Sequence, residues 1–162
     1  WVLAPSTNPV GIGLALAGLV QLVRLLRWRG WKTLRDPIVV VLHVGYLWIP
    51  AGLLLLGWSI VDPAIPRTAA IHALTAGAMA TMILAVMTRA TLGHTGREIQ
   101  AGGATVAIYV LVTLGALLRL AAPMGWLDYR MGIEAAGAAW AGAMLLFAIV
   151  YGPILFRPRP GE

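Results

Sequence analysis

Hydrophobic positions gather into five long runs, and the charges are confined to the segments between them. Residues 1–23, 38–61, 68–88, 99–118 and 135–156 contain no Asp, Glu, Lys or Arg over 23, 24, 21, 20 and 22 positions. At 1.5 Å rise per residue, ~20 apolar residues cross the ~30 Å hydrocarbon core of a bilayer. The pattern therefore predicts five membrane-spanning helices, over about 10–28, 37–60, 66–92, 102–122 and 130–156. The first is shorter than its uncharged run because Pro5, Ser6, Asn8 and Pro9 are turn and breaker residues. Pro37 and Pro66 suit first-turn positions, where a missing N–H costs nothing. The connections are short, so successive helices should be antiparallel neighbours. The expected fold is all-α, a polytopic transmembrane bundle forming one domain over residues 1–162.

Charge sets the expected orientation. Arg24, Arg27, Arg29, Lys32, Arg35, Arg89, Arg97, Arg157 and Arg159 lie at one end of the bundle, and Arg67, Arg119 and Arg130 at the other. An excess of Lys and Arg marks the cytoplasmic side, which places the C-terminus inside and Trp1 outside. An odd number of spans with the N-terminus outside, and no initiating Met or basic leader before the first run, leads to the expectation of further helices upstream. Composition agrees with a membrane protein: 60% of residues are hydrophobic and 11% charged, against about 25% charged in soluble domains. The net charge of +6 then reads as basic loops facing anionic lipid heads, with no nucleic acid partner. With no cysteine, disulfides, thiolate zinc sites, iron–sulfur clusters and covalent CxxCH haem are excluded. Any metal must be held by His, Met, carboxylate or carbonyl groups.

Small and aromatic residues suggest how the helices pack. Gly137–Ala141 and Ala138–Gly142 on the fifth helix form small-xxx-small pairs, which let backbones approach closely. Gly45 and Gly52 lie about 20° apart on the second helix, opposite His43. Trp28, Trp31, Trp48, Trp58 and Trp126 are expected as an interfacial belt near the span ends.

Polar side chains inside spans are costly and carry a functional reading by default. His43 is expected ~8 Å in from the basic side and His72 ~6 Å in from the other, so their heights differ by ~16 Å and they cannot share one metal. On an ideal third helix, Thr68, His72, Thr75, Met79, Met82, Val86 and Arg89 fall within ~100° of one another. Imidazole and thioether suit haem iron or copper, and the Arg89 guanidinium would fork onto a haem propionate. Arg119 and Glu134 are expected near the height of His72, as an ion pair or with Glu134 orienting the imidazole. The GHTGRE loop, with His94 and Arg97, either folds back as a ligand arm or simply turns the chain. No phosphate-binding loop, HExxH, GxSxG or carboxylate pair is present.

The stretch HALTAGAMATMILAVMTRATLGHTGR, residues 72–97, resembles the signature of the NnrS family of bacterial membrane proteins. RWRGWKTLRDP and LHVGYLWIPAGLLLLGWS resemble that family too, so the likeness covers essentially the whole chain. The resemblance implies a multi-pass protein of the bacterial inner (plasma) membrane, acting in the nitric oxide response, with haem b and copper as cofactors and nitric oxide or another small diatomic as ligand. His72, Arg89 and His94 match polar positions of the signature, and His43 matches a histidine of the second segment. His72 and His43 are the expected metal ligands. Family members carry further helices upstream, including another His-rich motif, so these residues resemble the C-terminal five spans of a larger bundle. The alternative reading is a cofactor-free accessory subunit packed against a larger redox complex. A transporter is disfavoured by the lack of an inverted repeat and of acidic residues deep in a span.

Overall fold

The computed structural model describes residues 7–160, so the sequence expectations for Trp1, Pro5 and Ser6 fall outside the described residues. Its helices are α1 (Asn8–Arg27), α2 (Pro37–Val61), α3 (Arg67–His94), α4 (Gly103–Ala121) and α5 (Tyr129–Phe156), each long and apolar enough to cross a membrane. The helix starts follow local chemistry. Asp36 Oδ1 accepts from the Ile38 and Val39 N–H groups at 3.0 and 3.4 Å, with Pro37 in the first turn of α2. Asp128 caps α5 by accepting from the Met131 N–H at 2.9 Å. Pro66 stands one residue before α3 rather than inside its first turn.

The central element is α3, which packs on α2 along one side and on α4 and α5 along the other. Glycines set the approach of its neighbours. A Cβ on Gly45 would lie 2.8 Å from Met82 Sδ, and one on Gly52 would lie 2.6 Å from the Leu74 side chain, so α2 meets α3 along the expected seam. A seam that the sequence reading missed joins α1 to α2: a Cβ on Gly11 would lie 2.9 Å from the Gly57 carbonyl, and one on Gly18 would lie 3.1 Å from that of Pro50. Close backbone approach of this kind gives the dispersion contact that holds helices together in lipid.

Two packing expectations are corrected. Trp48 does not join the belt; it is half-buried midway along α2, where its indole lies on Gly77 of α3. An added Cβ there would come within 2.5 Å of the ring, so the missing side chain is what seats the indole. Trp28, Trp31, Trp58 and Trp126 are exposed, as an aromatic belt requires. On α5, Gly137, Ala138 and Ala141 are exposed instead of forming a seam. Gly132 and Ala136 make the close contacts, with Ala122 and Gly115 respectively. The small residues run around much of this helix, so composition does not say which of its faces meets α4.

Within α3, residues Ala73–Met79 form a π-helical turn that begins just after His72. The Ala80 N–H reaches back to the Thr75 carbonyl, five residues earlier. The turn holds about one extra residue, so every later position is set back by roughly 100°. That explains a departure from the ideal wheel: Met82 leaves the His72 face and packs on Gly45, while Ile83 takes its place.

Hydroxyls tie α3, α4 and α5 together where the core is driest. Thr88 bonds to Tyr109, and Thr105 bonds to Tyr151 at 2.7 Å, with all four residues buried. Interhelical hydrogen bonds in membranes average ≈ 0.6 kcal/mol and reach ≈ 1.7. Tyr109→Phe should therefore lower stability by about 1 kcal/mol in a reversible detergent-unfolding titration, without changing the secondary structure seen by circular dichroism.

Candidate cofactor cavity

His72, the π turn and the facing surfaces of α4 and α5 enclose a cavity of about 540 Å³. Ligand pockets typically run ≈ 300–1,000 Å³ and are mostly apolar with a few placed polar groups. Here α3 supplies His72, Thr75, Met79 and Ile83, α4 supplies Gly115 and Arg119, and α5 supplies Gly137, Trp140 and Met144. Space arises because the widened turn of α3 faces residues without bulk: Gly115 lies against the α5 backbone, and nothing stands within 4 Å of where a Gly137 side chain would begin. One flank is open, with Met79 59% exposed.

Two of the polar groups in this cavity, on His72 and Arg119, are uncommitted among the described residues. The half-buried His72 ring makes no hydrogen bond with any described residue, whereas Thr75 Oγ1 donates to the Ile71 carbonyl at 2.8 Å. Arg119 is half-buried and has no carboxylate partner among the described residues. The expected Arg119–Glu134 pair does not form. Glu134 instead accepts from Arg130 Nε at 2.8 Å, one helical turn earlier, with both side chains well exposed. Glu134 lies roughly 100° round α5 from the Trp140–Met144 line that faces the cavity, so the carboxylate leaves Arg119 alone with His72.

The other candidate residues sit elsewhere. Arg89 and His94 share a second hollow of about 380 Å³ with Leu42, Val86 and Gly93. Arg89 is seventeen positions from His72, roughly 25 Å along the axis, so the two cannot serve one ligand of haem size. His94 ends α3 as an exposed residue, and the chain turns there through Gly96 at φ 68°, with the Arg97 N–H bonded to the Leu92 carbonyl at 2.9 Å. The GHTGRE loop therefore turns the chain. His43 lines a third hollow, of about 230 Å³, at the basic end. Its Nδ1 donates to the Val39 carbonyl at 2.8 Å, while Nε2 makes no hydrogen bond with any described residue. Among the described residues, no three His, Asp or Glu side chains come together as a metal site.

Sequence reasoning found His72, Thr75 and Met79 from periodicity and set Arg119 at the height of His72, but missed Trp140 and Met144 as their companions. Helical spacing relates residues within one element only, and nothing in it gives the rotation of α4 or α5 relative to α3. Among known proteins, no curated protein and no solved structure matches the chain. The family model described as NnrS protein matches residues 1–159, nearly the whole length. The chain belongs to the NnrS family.

Proposed function

We propose that the protein binds haem b in the α3–α4–α5 cavity and acts in the bacterial nitric oxide response, as its family membership implies. The observation that carries this reading is the pairing, in one apolar cavity, of an imidazole and a guanidinium that both lack partners among the described residues. A ligand that offers a Lewis-acidic metal to the imidazole and an anionic group to the guanidinium satisfies both. Haem has both, as iron and propionates.

In this arrangement His72 gives a neutral nitrogen to iron. Arg119, on the neighbouring helix near the same end, takes a carboxylate in fork geometry. Met79, Ile83, Trp140 and Met144 make the deeper half apolar. Haem so held supplies a metal that takes a small diatomic such as nitric oxide, and the apolar walls admit that uncharged gas more readily than an ion. Copper finds a poorer fit. His43, with Nε2 available, offers one ligand of a set that the described residues do not complete, and Arg89 with His94 offers a second polar hollow. Orientation with the basic end in the cytoplasm follows from the positive-inside rule. A cofactor-free accessory role has one supporting observation, the exposed small-residue stripe of α5, and predicts purified protein that takes up no haem.

The test is haem titration of the full chain in detergent, followed by the Soret band. Loss of a charge-assisted fork is worth ≈ 1.5–3 kcal/mol, so Arg119→Gln should weaken haem binding by roughly 10–100-fold. Arg89→Gln and Glu134→Gln should leave the titration unchanged. Equal weakening by Arg89→Gln and none by Arg119→Gln would move the site to the other hollow.

A further inference from the structure

The turn between α1 and α2 is built more rigidly than a connecting loop requires. Arg29 is held at φ 52°, a left-handed backbone that costs a branched or long side chain ~1–2 kcal/mol. The next residue, Gly30, is pressed on His43, so that a Cβ there would lie 2.5 Å from the imidazole Cδ2. Thr33 Oγ1 donates to the Gly30 carbonyl at 2.8 Å and closes a short 3₁₀ turn over Gly30–Thr33. On the other side, Trp28 packs edge-on to His43 and against Tyr46, whose hydroxyl bonds to Gln21 of α1. Arg24 Cζ lies 5.5 Å from the Trp28 ring centroid. Strain and clamping of this kind persist where a site must be held in one shape.

Apart from Asp36, the charges on and beside the turn are all basic. Arg24, Arg27, Arg29, Lys32 and Arg35 are exposed and have no carboxylate partner among the described residues. The nearby carboxylate, Asp36, is occupied in capping α2. Directly beside this cationic rim lies the 230 Å³ hollow, walled by Leu25, Trp31, Leu34, Val44 and Leu47 and almost wholly apolar. An occupant must therefore carry an anionic head and an apolar body, and must sit where the hydrocarbon of the membrane meets water. We infer that the α1–α2 turn is a binding site for one anionic phospholipid, with its phosphate on Arg27, Arg29 and Lys32 and the start of an acyl chain in the hollow. The inference does not depend on haem.

The experiment is native mass spectrometry of the full chain in detergent, titrated with phosphatidylglycerol and, separately, phosphatidylcholine. Preference for phosphatidylglycerol should be roughly 10-fold or more, since each basic residue near an anionic surface contributes appreciably. Combined Arg27→Gln, Arg29→Gln and Lys32→Gln should bring the two lipids within about twofold. Gly30→Val changes no charge but displaces the turn from His43, and should lose the preference as well. Arg157→Gln with Arg159→Gln, at the same end, should keep it. Loss of preference only in proportion to the charge removed, wherever it is removed, would mean diffuse attraction and overturn the site. So would equal binding of phosphatidylcholine, displacement of the lipid by millimolar inorganic phosphate, or preferential capture of RNA.

Discussion

Gly77→Leu should be among the most damaging single substitutions in this bundle. The first added atom would lie 2.5 and 2.6 Å from Trp48 Cδ2 and Cγ, and the ring has α2 behind it. Overpacking of a tight contact costs about 1–3 kcal/mol, and here the displaced indole belongs to the cluster around Ala69, Ala73 and Leu120 that closes one end of the core. The π turn also spans Gly77, so the widened turn that opens the cavity would shift with it. We expect a fall of several degrees or more in the thermal midpoint and weaker haem uptake. Gly13→Leu, where nothing stands within 4 Å, should behave like wild type. Pairing Gly77→Ala with Trp48→Leu should recover part of what Gly77→Ala loses, because the clash is between those two residues. Additive losses would show that Gly77 matters through its backbone alone.

The second large effect concerns His72→Ala. If the cavity takes haem through this imidazole, the substitution removes the strongest donor and leaves the weaker thioethers of Met79 and Met144, with a guanidinium that does not ligate iron. The Soret band of the titrated protein should fall to the level of free haem in detergent, while circular dichroism remains helical. Met79→Leu fills the same space without a sulfur and should keep most of the haem. His43→Ala should keep all of it, since that ring lines a separate hollow at the basic end. Retention of the spectrum in His72→Ala, with loss in His43→Ala, would relocate the site.

The membrane spans were legible in the sequence because a bilayer forces a simple code. Charges cannot stay in hydrocarbon, so uncharged runs of about twenty residues mark helices almost by themselves. The start of α2 was legible from Pro37, whose fixed φ suits a first turn, whereas the Asp36 cap emerges only in the structure. Most of the cavity was not legible. The π turn lies in ALTAGAM, whose small residues fit either helical pitch, and it sets back every later position on α3. That single event sends Met82 to Gly45 and brings Ile83 to the cavity. Arg119 was visible as a charge near a span end, but its place beside His72 depends on how α4 is rotated, which spacing within α4 does not encode. Glu134 was expected across the interface and turned instead to Arg130, its neighbour at i−4 on an exposed face.

The proposed site puts iron beside His72, between α3, α4 and α5. An anomalous-scattering map collected at the iron absorption edge, on crystals of the haem-loaded full chain, tests it most directly. One strong peak is expected at bonding distance from the His72 ring, with Arg119 turned toward the same ligand. A peak beside His43 or His94, or a His72 ring bonded to a backbone carbonyl with no iron near it, would contradict it.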